Sequence, residues 1–535
     1  TNYGRHIMPP PQPPPIATPS ASPLPSLKCV QTLESPMTPS LYSPQSFHDH
    51  EFASSMDAKL FEYSASSPSS SPSPVWSCAW SHDGKALATA HGRPDYPCIR
   101  IWKFDSSPLP PPQSNSDSNS DSNSKECINE WKLSATLRHD HESDGDNGSG
   151  SDNLNLPRTI RAVEFAYTPP NVRYVLACAS FDGTVRIWED FSFESNGNTD
   201  KYSYNYDPSK TNCNRSTGNG YDHEYSTKIH TNTNAGWENT AQLEGHENEV
   251  KDISWNGTGS LLATCGRDKT IWIWECFLPG TIGSQGTGST SFHPSVGGSG
   301  GGGQGDFECI SILSSHGGDV KDVQFGSSMG QFGDGDDILL SASYDDTIKV
   351  WAEEDGEWYC ALTLDNVHSS TIWSIALSSS GVRMISASAD CSLGIWKFYT
   401  VNEKRQMIKD RNKNNTINNE TGEDDSDDDM GMYSDGLWKC VGKLSNAHKQ
   451  PIYTVHCAPS RAGHGRIVSG GGDNSIHIYR EVIASDDDAP LFTTDVSVKK
   501  AHDGDVNCLR WHPLNGSLLA SGGDDGLIKI WKFTQ

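Results

Sequence analysis

Short runs in which apolar and polar residues alternate recur along most of this chain, separated by Gly, Asn or Ser. The stretch "GHENEVKDISWNGTGSLLATC" is an example: His246 is followed by Val250, Ile253 and Trp255, then a turn, then "LLATC". A period of two over five or six residues, bounded by turn formers, predicts antiparallel strands joined by tight turns. The stretch is followed by "GRDKTIWIW", and six other segments align with it. They are "PDYPCIRIW" ending at Trp102, "SFDGTVRIW" at Trp188, "SYDDTIKVW" at Trp351, "SADCSLGIW" at Trp396, "GGDNSIHIY" at Tyr479 and "GDDGLIKIW" at Trp531. In six of the seven an Asp stands six residues before the aromatic: Asp182, Asp268, Asp345, Asp390, Asp473 and Asp525. The first departs, with Tyr96 there and Asp95 one position earlier.

A unit with Gly-His near its start and an apolar-aromatic end resembles a WD repeat. Seven such units imply an all-β fold, a seven-bladed WD-repeat β-propeller whose ring leaves no long sheet edge exposed. The expected blade cores are 75–104, 158–190, 243–276, 313–353, 365–399, 445–482 and 499–533 within a single propeller over 56–535. A strand near "KLFEY" (59–63) is expected to complete the last blade. His246, His316, His368, His448 and His502 recur in phase with Asp268, Asp345, Asp390, Asp473 and Asp525. Repetition around a ring marks them as a buried structural network, tolerable only if fully paired.

Most units lie farther apart than the usual repeat of about 40–45 residues. The excess is low-complexity sequence at about 105–125, 139–156, 192–235, 278–305 and 402–436, and residues 1–55 are rich in Pro and Ser. These read as disordered insertions and a disordered tail outside the ring. "HDHESDGD" lacks calcium-loop spacing, and "GGSGGGGQG" lacks the following Gly-Lys-Ser/Thr of a phosphate loop. Asn256-Gly-Thr and Asn515-Gly-Ser fit a glycosylation sequon by chance, in blade turns.

The net charge of −27 argues against nucleic acid as the main partner. No run approaches 18 apolar residues, so neither a membrane-spanning helix nor a signal peptide is expected. The chain does not open on Met, which suggests a fragment or a processed chain. Fourteen cysteines include no Cys-x-x-Cys. Cys127, Cys309, Cys360 and Cys440 share one setting at equal phase of the repeat, which spreads them apart. They are expected as strand thiols rather than ligands or disulfides, so no metal and no cofactor is expected. Scattered reduced thiols fit a cytoplasmic and nuclear setting.

No nucleophile, base and oxyanion set stands out from the repeat, so a non-catalytic interaction module is expected. The informative positions are those where the repeats differ. One follows the first apolar residue after the Gly-His region: Trp76, Arg161, Lys251, Lys321, Trp373, Tyr453 and Asn507. It is expected at the mouth of the central channel, cationic in blades two to four and aromatic in blades five, six and one. The other precedes the turn Asp: Phe181, Arg267, Tyr344, Ala389, Gly472 and Asp524. Arg267 is the one arginine in that set. It is expected to join Arg161, Lys251 and Lys321 in a basic quadrant beside aromatics, suited to a peptide carboxylate.

"LEGHENEVKDISW", "LLATCGRDKTIWIWE", "HGGDVKDVQF", "SASYDDTIKVW" and "AHDGDVNCLRWHP…LLASGGDDG" are similar to the WD-repeat subunits of the cytosolic iron–sulfur protein assembly (CIA) targeting complex. The likeness spans all seven repeats. It implies a scaffold that docks a small partner subunit, a HEAT-repeat scaffold and an iron-only-hydrogenase-like Fe–S carrier, and delivers clusters to apoprotein clients. It also implies that Arg267, in the family's "RDK" segment, is functionally important, and that some clients carry a C-terminal signal ending in an aromatic residue. The long insertions depart from the family. The competing reading is another WD-repeat module, a peptide reader or a ubiquitin-ligase substrate adaptor.

Overall fold

Each repeat folds into four antiparallel strands, and seven such sheets are arranged as the blades of a propeller. The computed structural model describes residues 25–34, 72–92, 97–105, 130–138, 158–169, 172–192, 235–278, 306–416, 435–459, 465–482 and 486–534. Blade three is representative. Its strands are Val250–Trp255 at the channel, then Leu261–Gly266, Ile271–Phe277 and, at the rim, Asp306–Leu313. Leu262 pairs with Trp274 and Ala263 with Ile273, and all four are buried between neighbouring blades. Burying each large apolar side chain stabilises the ring by about 1.5–3 kcal/mol.

The turn before the third strand is set by its Asp. Asp268 Oδ1 accepts from Thr270 N at 3.0 Å and from Thr270 Oγ1 at 2.7 Å, closing a local Asx turn. The residue after the Asp must then take a positive φ. Glycine does so in blades two and seven, at Gly183 and Gly526, while Lys269, Asp346, Cys391 and Asn474 do so elsewhere.

The expected histidine network is present in blades three to seven. His246 Nδ1 meets Asp268 Oδ2 at 2.7 Å, and its Nε2 meets Thr264 Oγ1 at 2.9 Å, which also accepts from Trp274 Nε1 at 3.2 Å. His316, His368 and His502 repeat this with Asp345, Asp390 and Asp525, on Ser341, Ser386 and Ser521. Burial alone would raise the carboxyls of Asp345 and Asp390. Hydrogen bonds from the histidine and from Thr347 or Ser392 outweigh it and hold both far below the carboxylate range.

Adjacent blades are joined by side chains of the inner strands that accept backbone N–H groups of the next blade. Asp252 accepts from Val323 N at 3.2 Å, and Asp322 from Ile375 N at 2.8 Å. Ser254, Gln324 and Thr454 accept in the same way. The alternation of the inner strand therefore serves two purposes: one residue faces the channel and the next fastens the blades.

The closing strand is not where the sequence suggested. Ser26–Leu33, inside the stretch expected as a disordered tail, pairs antiparallel with Ile528–Thr534 and is the outer strand of blade seven. Leu27 packs with Trp531 and Phe533, and Leu33 with Val75, Ile528 and Ile530. Gln31 exchanges two 2.9 Å hydrogen bonds with the backbone of Trp131, fastening the seam to blade one. "KLFEY" lies outside the described residues, as do Tyr96, Asp95 and Cys127. The expected insertion 402–436 is corrected in its first half: Val401–Thr416 is a helix, opened by a reciprocal cap between Thr400 and Glu403. Of the remaining expected insertions, nearly all residues lie outside the described ones.

Inner strands run from the channel mouth to the opposite face, so each connection between third and outer strand lies on that opposite face. The insertions after 105, 192, 278 and 416 are anchored there; the one after 138 is anchored on the mouth side.

Candidate docking face at the channel mouth

Trp76, Arg161, Lys251, Lys321, Trp373, Tyr453 and Asn507 line one cavity at the mouth of the channel, with Asp252, Asp322 and Arg510 deeper in it. Each is the second residue of an inner strand, or lies next to one, so the repeat itself sets the ring. Cations and aromatics interleave rather than segregate. The Arg161 guanidinium lies 5.3 Å from the Trp76 ring, and Lys251 Nζ 4.3 Å from the Phe181 ring. Lys321 Nζ lies 5.5 Å from Tyr344 and 5.0 Å from Trp373, which meets Tyr453 edge-on at 5.4 Å. The two variable positions thus work as one layer, with the residue before the turn Asp supporting the cation at the mouth.

Arg267 is placed differently from the other three cations. It stands on the rim of the mouth, outside the cavity lining, and its side chain keeps 45% of its surface exposed. Its Nη1 pairs with Glu249 Oε1 at 3.1 Å, and its backbone N donates to Glu249 O at 2.9 Å. Burial pushes the Glu249 carboxyl up, but a backbone N–H and the charges of Lys251 and Arg267 lower it further than burial raises it. Glu249 therefore links Arg267 to the cavity cations. Asp319 does the same for Lys321, at 3.2 Å.

Burial first, then the charges of Lys321 and Arg161, pull the Lys251 ammonium down to about 8. Beneath it, burial and the neighbouring Asp322 raise the Asp252 carboxyl well above its usual range, and burial raises Glu164 to about 8. Both shifts weaken the negative charge beneath Lys251, while Asp322 and Arg510 offset each other deeper in the cavity. On the other side of the ring Asn507 Nδ2 donates to Asp524 Oδ1 at 2.8 Å and to Val75 O at 3.1 Å. Burial, Asp505 and Asp524 raise the Tyr453 hydroxyl to about 12. Ala389 and Gly472 bring no charge to their positions.

Glu249, Asp319 and the acids of the second layer were not anticipated. The repeated Lys-Asp of "VKDISW" and "VKDVQF" was the available signal. Cys309, Cys360 and Cys440 are half-buried strand thiols, each donating to the carbonyl two residues on. His448, Asp473 and His477 bring three ligand atoms within 4.8 Å of one another. The two imidazoles are stacked, with centroids 4.2 Å apart and planes 21° apart, so their lone pairs run side by side rather than converge. The Ser475 hydroxyl already bonds all three groups.

The family model described as "WD domain, G-beta repeat" matches residues 63–103, 158–189, 237–275, 307–352, 358–397 and 494–532. Blade six falls outside these segments except for its last residues; there Tyr479 replaces the closing tryptophan and donates to Ala447 O at 3.0 Å. The chain is 31% identical over 400 residues to a protein of Debaryomyces hansenii named "Probable cytosolic iron-sulfur protein assembly protein 1", covering 70% of this chain and 85% of the relative. It belongs to that family. A Candida albicans protein of the same name is 31% identical over 395 residues, with the same coverage. One from Neurospora crassa is 28% identical over 336 residues, covering 55% of this chain and 68% of the relative. The "RDK" of this chain is the turn that carries Arg267 to the rim, beside Glu249. Among the described residues no helix is long and apolar enough to cross a membrane.

Proposed function

We propose that this chain is a non-catalytic scaffold of cytosolic iron–sulfur protein assembly, docking partner subunits and apoprotein clients so that clusters reach them. Membership of the family over most of a relative's length carries this reading. The site supports it: the mouth offers ammonium, guanidinium and aromatic groups suited to holding a protein segment. At four of the five expected insertions the described chain breaks off on the opposite face. The partners are those of a CIA targeting complex: the small subunit, the HEAT-repeat scaffold and the iron-only-hydrogenase-like carrier. The setting is the cytoplasm, extending to the nucleus. Arg267 and the flanking Phe181 and Tyr344 receive a client segment ending in an aromatic residue with a free carboxylate. Arg267 exchanges Glu249 for that carboxylate, and the aromatics hold the side chain.

The test is fluorescence anisotropy with such a peptide on the full chain, comparing wild type with Arg267→Glu and the free with the amidated peptide. Binding in the micromolar range, weakened at least about tenfold by either change, is expected for loss of a charge-assisted bidentate pair. Equal binding in all arms would remove Arg267 from client recognition.

A further inference from the structure

We propose that the channel mouth is a binding site for a phosphate group, held by Arg161, Lys251 and Lys321 and separate from the rim position of Arg267. The inference rests on the charge balance of the cavity and does not depend on the scaffold reading. The three cations come from three consecutive blades and line one cavity. Lys321 is buried and paired with Asp319, and Lys251 and Arg161 are partly buried. Among the described residues, no carboxylate lies within ion-pair distance of Lys251 or Arg161. Arg161 Nη1 donates to Trp76 O at 3.2 Å; otherwise the two cations rest on Trp76 and Phe181.

The groups facing Lys251 account for this excess. From its own blade come Glu249, already engaged by Arg267, and Asp252, whose carboxyl burial and Asp322 raise well above its usual range; deeper in the same cavity the charges of Asp322 and Arg510 oppose each other. Blade two contributes Arg161 and Phe181, and blade four Lys321 and the engaged Asp319. Glu164 lies deeper and is half or more protonated at neutral pH. Desolvated positive charge without a counter-charge is costly, and an anion in the cavity offsets that cost. Three positive groups around one cavity match a phosphate, which carries roughly −1.5 to −2 at neutral pH, better than a singly charged carboxylate. The arrangement supplies one planar fork and two ammonium groups, with indole and phenol rings walling the cavity.

A phosphate can arrive free in solution or as a phosphorylated side chain of a bound protein. The experiment separates the two. Isothermal titration of the full chain at constant ionic strength and pH 7 would use inorganic phosphate, a phosphoserine peptide, its unphosphorylated form and chloride. Saturable binding of phosphate or phosphopeptide, and of neither control, is expected; the tighter of the two identifies the source. Lys251→Met and Lys321→Met should each weaken it about tenfold, the usual scale for one charge-assisted contact. Lys132→Met, on the outer strand of blade one beside Asp105, should leave it unchanged.

Two further readouts separate a site from a structural role. Lys251 titrates lower in the fold than in the unfolded chain, so its protonated form opposes folding at neutral pH. Lys251→Met should therefore raise the melting temperature in phosphate-free buffer while reducing the stabilisation that a given phosphate concentration provides. Bound phosphate should also hold the Lys251 proton, so above about pH 8 binding takes up protons and weakens as pH rises. Absence of saturable phosphate or phosphopeptide binding, equal binding by the lysine variants, or a lower melting temperature of Lys251→Met without phosphate would each overturn the proposal.

Discussion

The blade bodies and the channel mouth are built from the same strands, yet they differ in how completely their polar groups are matched. In blade five, Asp390 is met by His368, Ser392, the backbone of Ser369 and Lys443. At the mouth, Lys251 and Arg161 lean on rings, and Glu249 and Asp319 are engaged with Arg267 and Lys321. The His and turn Asp that recur from blade three to blade seven are satisfied inside their own blades and hold the fold. At the variable position, Lys251 and Arg161 keep capacity for something outside the chain.

The widest contrast comes from breaking the bodies. Removing residues 26–33 strips blade seven of its outer strand and exposes Ile528, Ile530 and Trp531. Loss of Leu27 and Leu33 burial alone costs about 3–6 kcal/mol, so denaturant titration should show a large loss of stability or failure to fold. Next comes His368→Ala, which leaves Asp390 and Ser386 with unmet bonds and should cost about 2–4 kcal/mol. Asp182→Ala in blade two breaks only the local bonds to Thr184 and should cost about 1 kcal/mol. Similar losses at both sites would end the distinction between networked and local turns.

Acid gives a third effect. Asp345 and Asp390 titrate far lower in the fold than in the unfolded chain, so their stabilisation is complete above about pH 4, the ordinary carboxyl value. It is lost progressively as pH falls below that. Asp390→Asn should lower stability at pH 7 and flatten its fall between about pH 4 and 2, followed by denaturant midpoints. The smallest change belongs to the rim: Arg267→Gln breaks a half-exposed pair with Glu249 and should shift stability by less than about 1 kcal/mol.

The ring, the repeat phase and the seven mouth residues were legible because each follows from a period: two along a strand, and the turn Asp across repeats. Legibility failed where the signal was not periodic. Ser26–Leu33 escaped notice because it is flanked by Pro and Ser on both sides. Its "LKCVQTL" nonetheless matches "WKCVGKL" of the outer strand of blade five, down to the Cys29 thiol that donates to the carbonyl two residues on. The helix from Val401 was hidden by a composition that lacks an apolar face. At the site, sequence placed Arg267 with the cavity cations. It could not show that Glu249 holds the arginine at the rim, because that pairing joins a loop to a turn 18 residues on.

The seam of blade seven also bears on how the protein is made. Ser26 and Thr534, which touch through their hydroxyls, are 508 residues apart. A ribosome adding about 5–20 residues per second needs on the order of 25–100 s to pass from one to the other. Through that interval Leu27 and Leu33 have no partner strand, while blades one to six are synthesised in order. Nascent chains therefore carry Ser26–Leu33 unpaired until Ile528–Thr534 has been made, so the ring closes only after all six other blades have been synthesised.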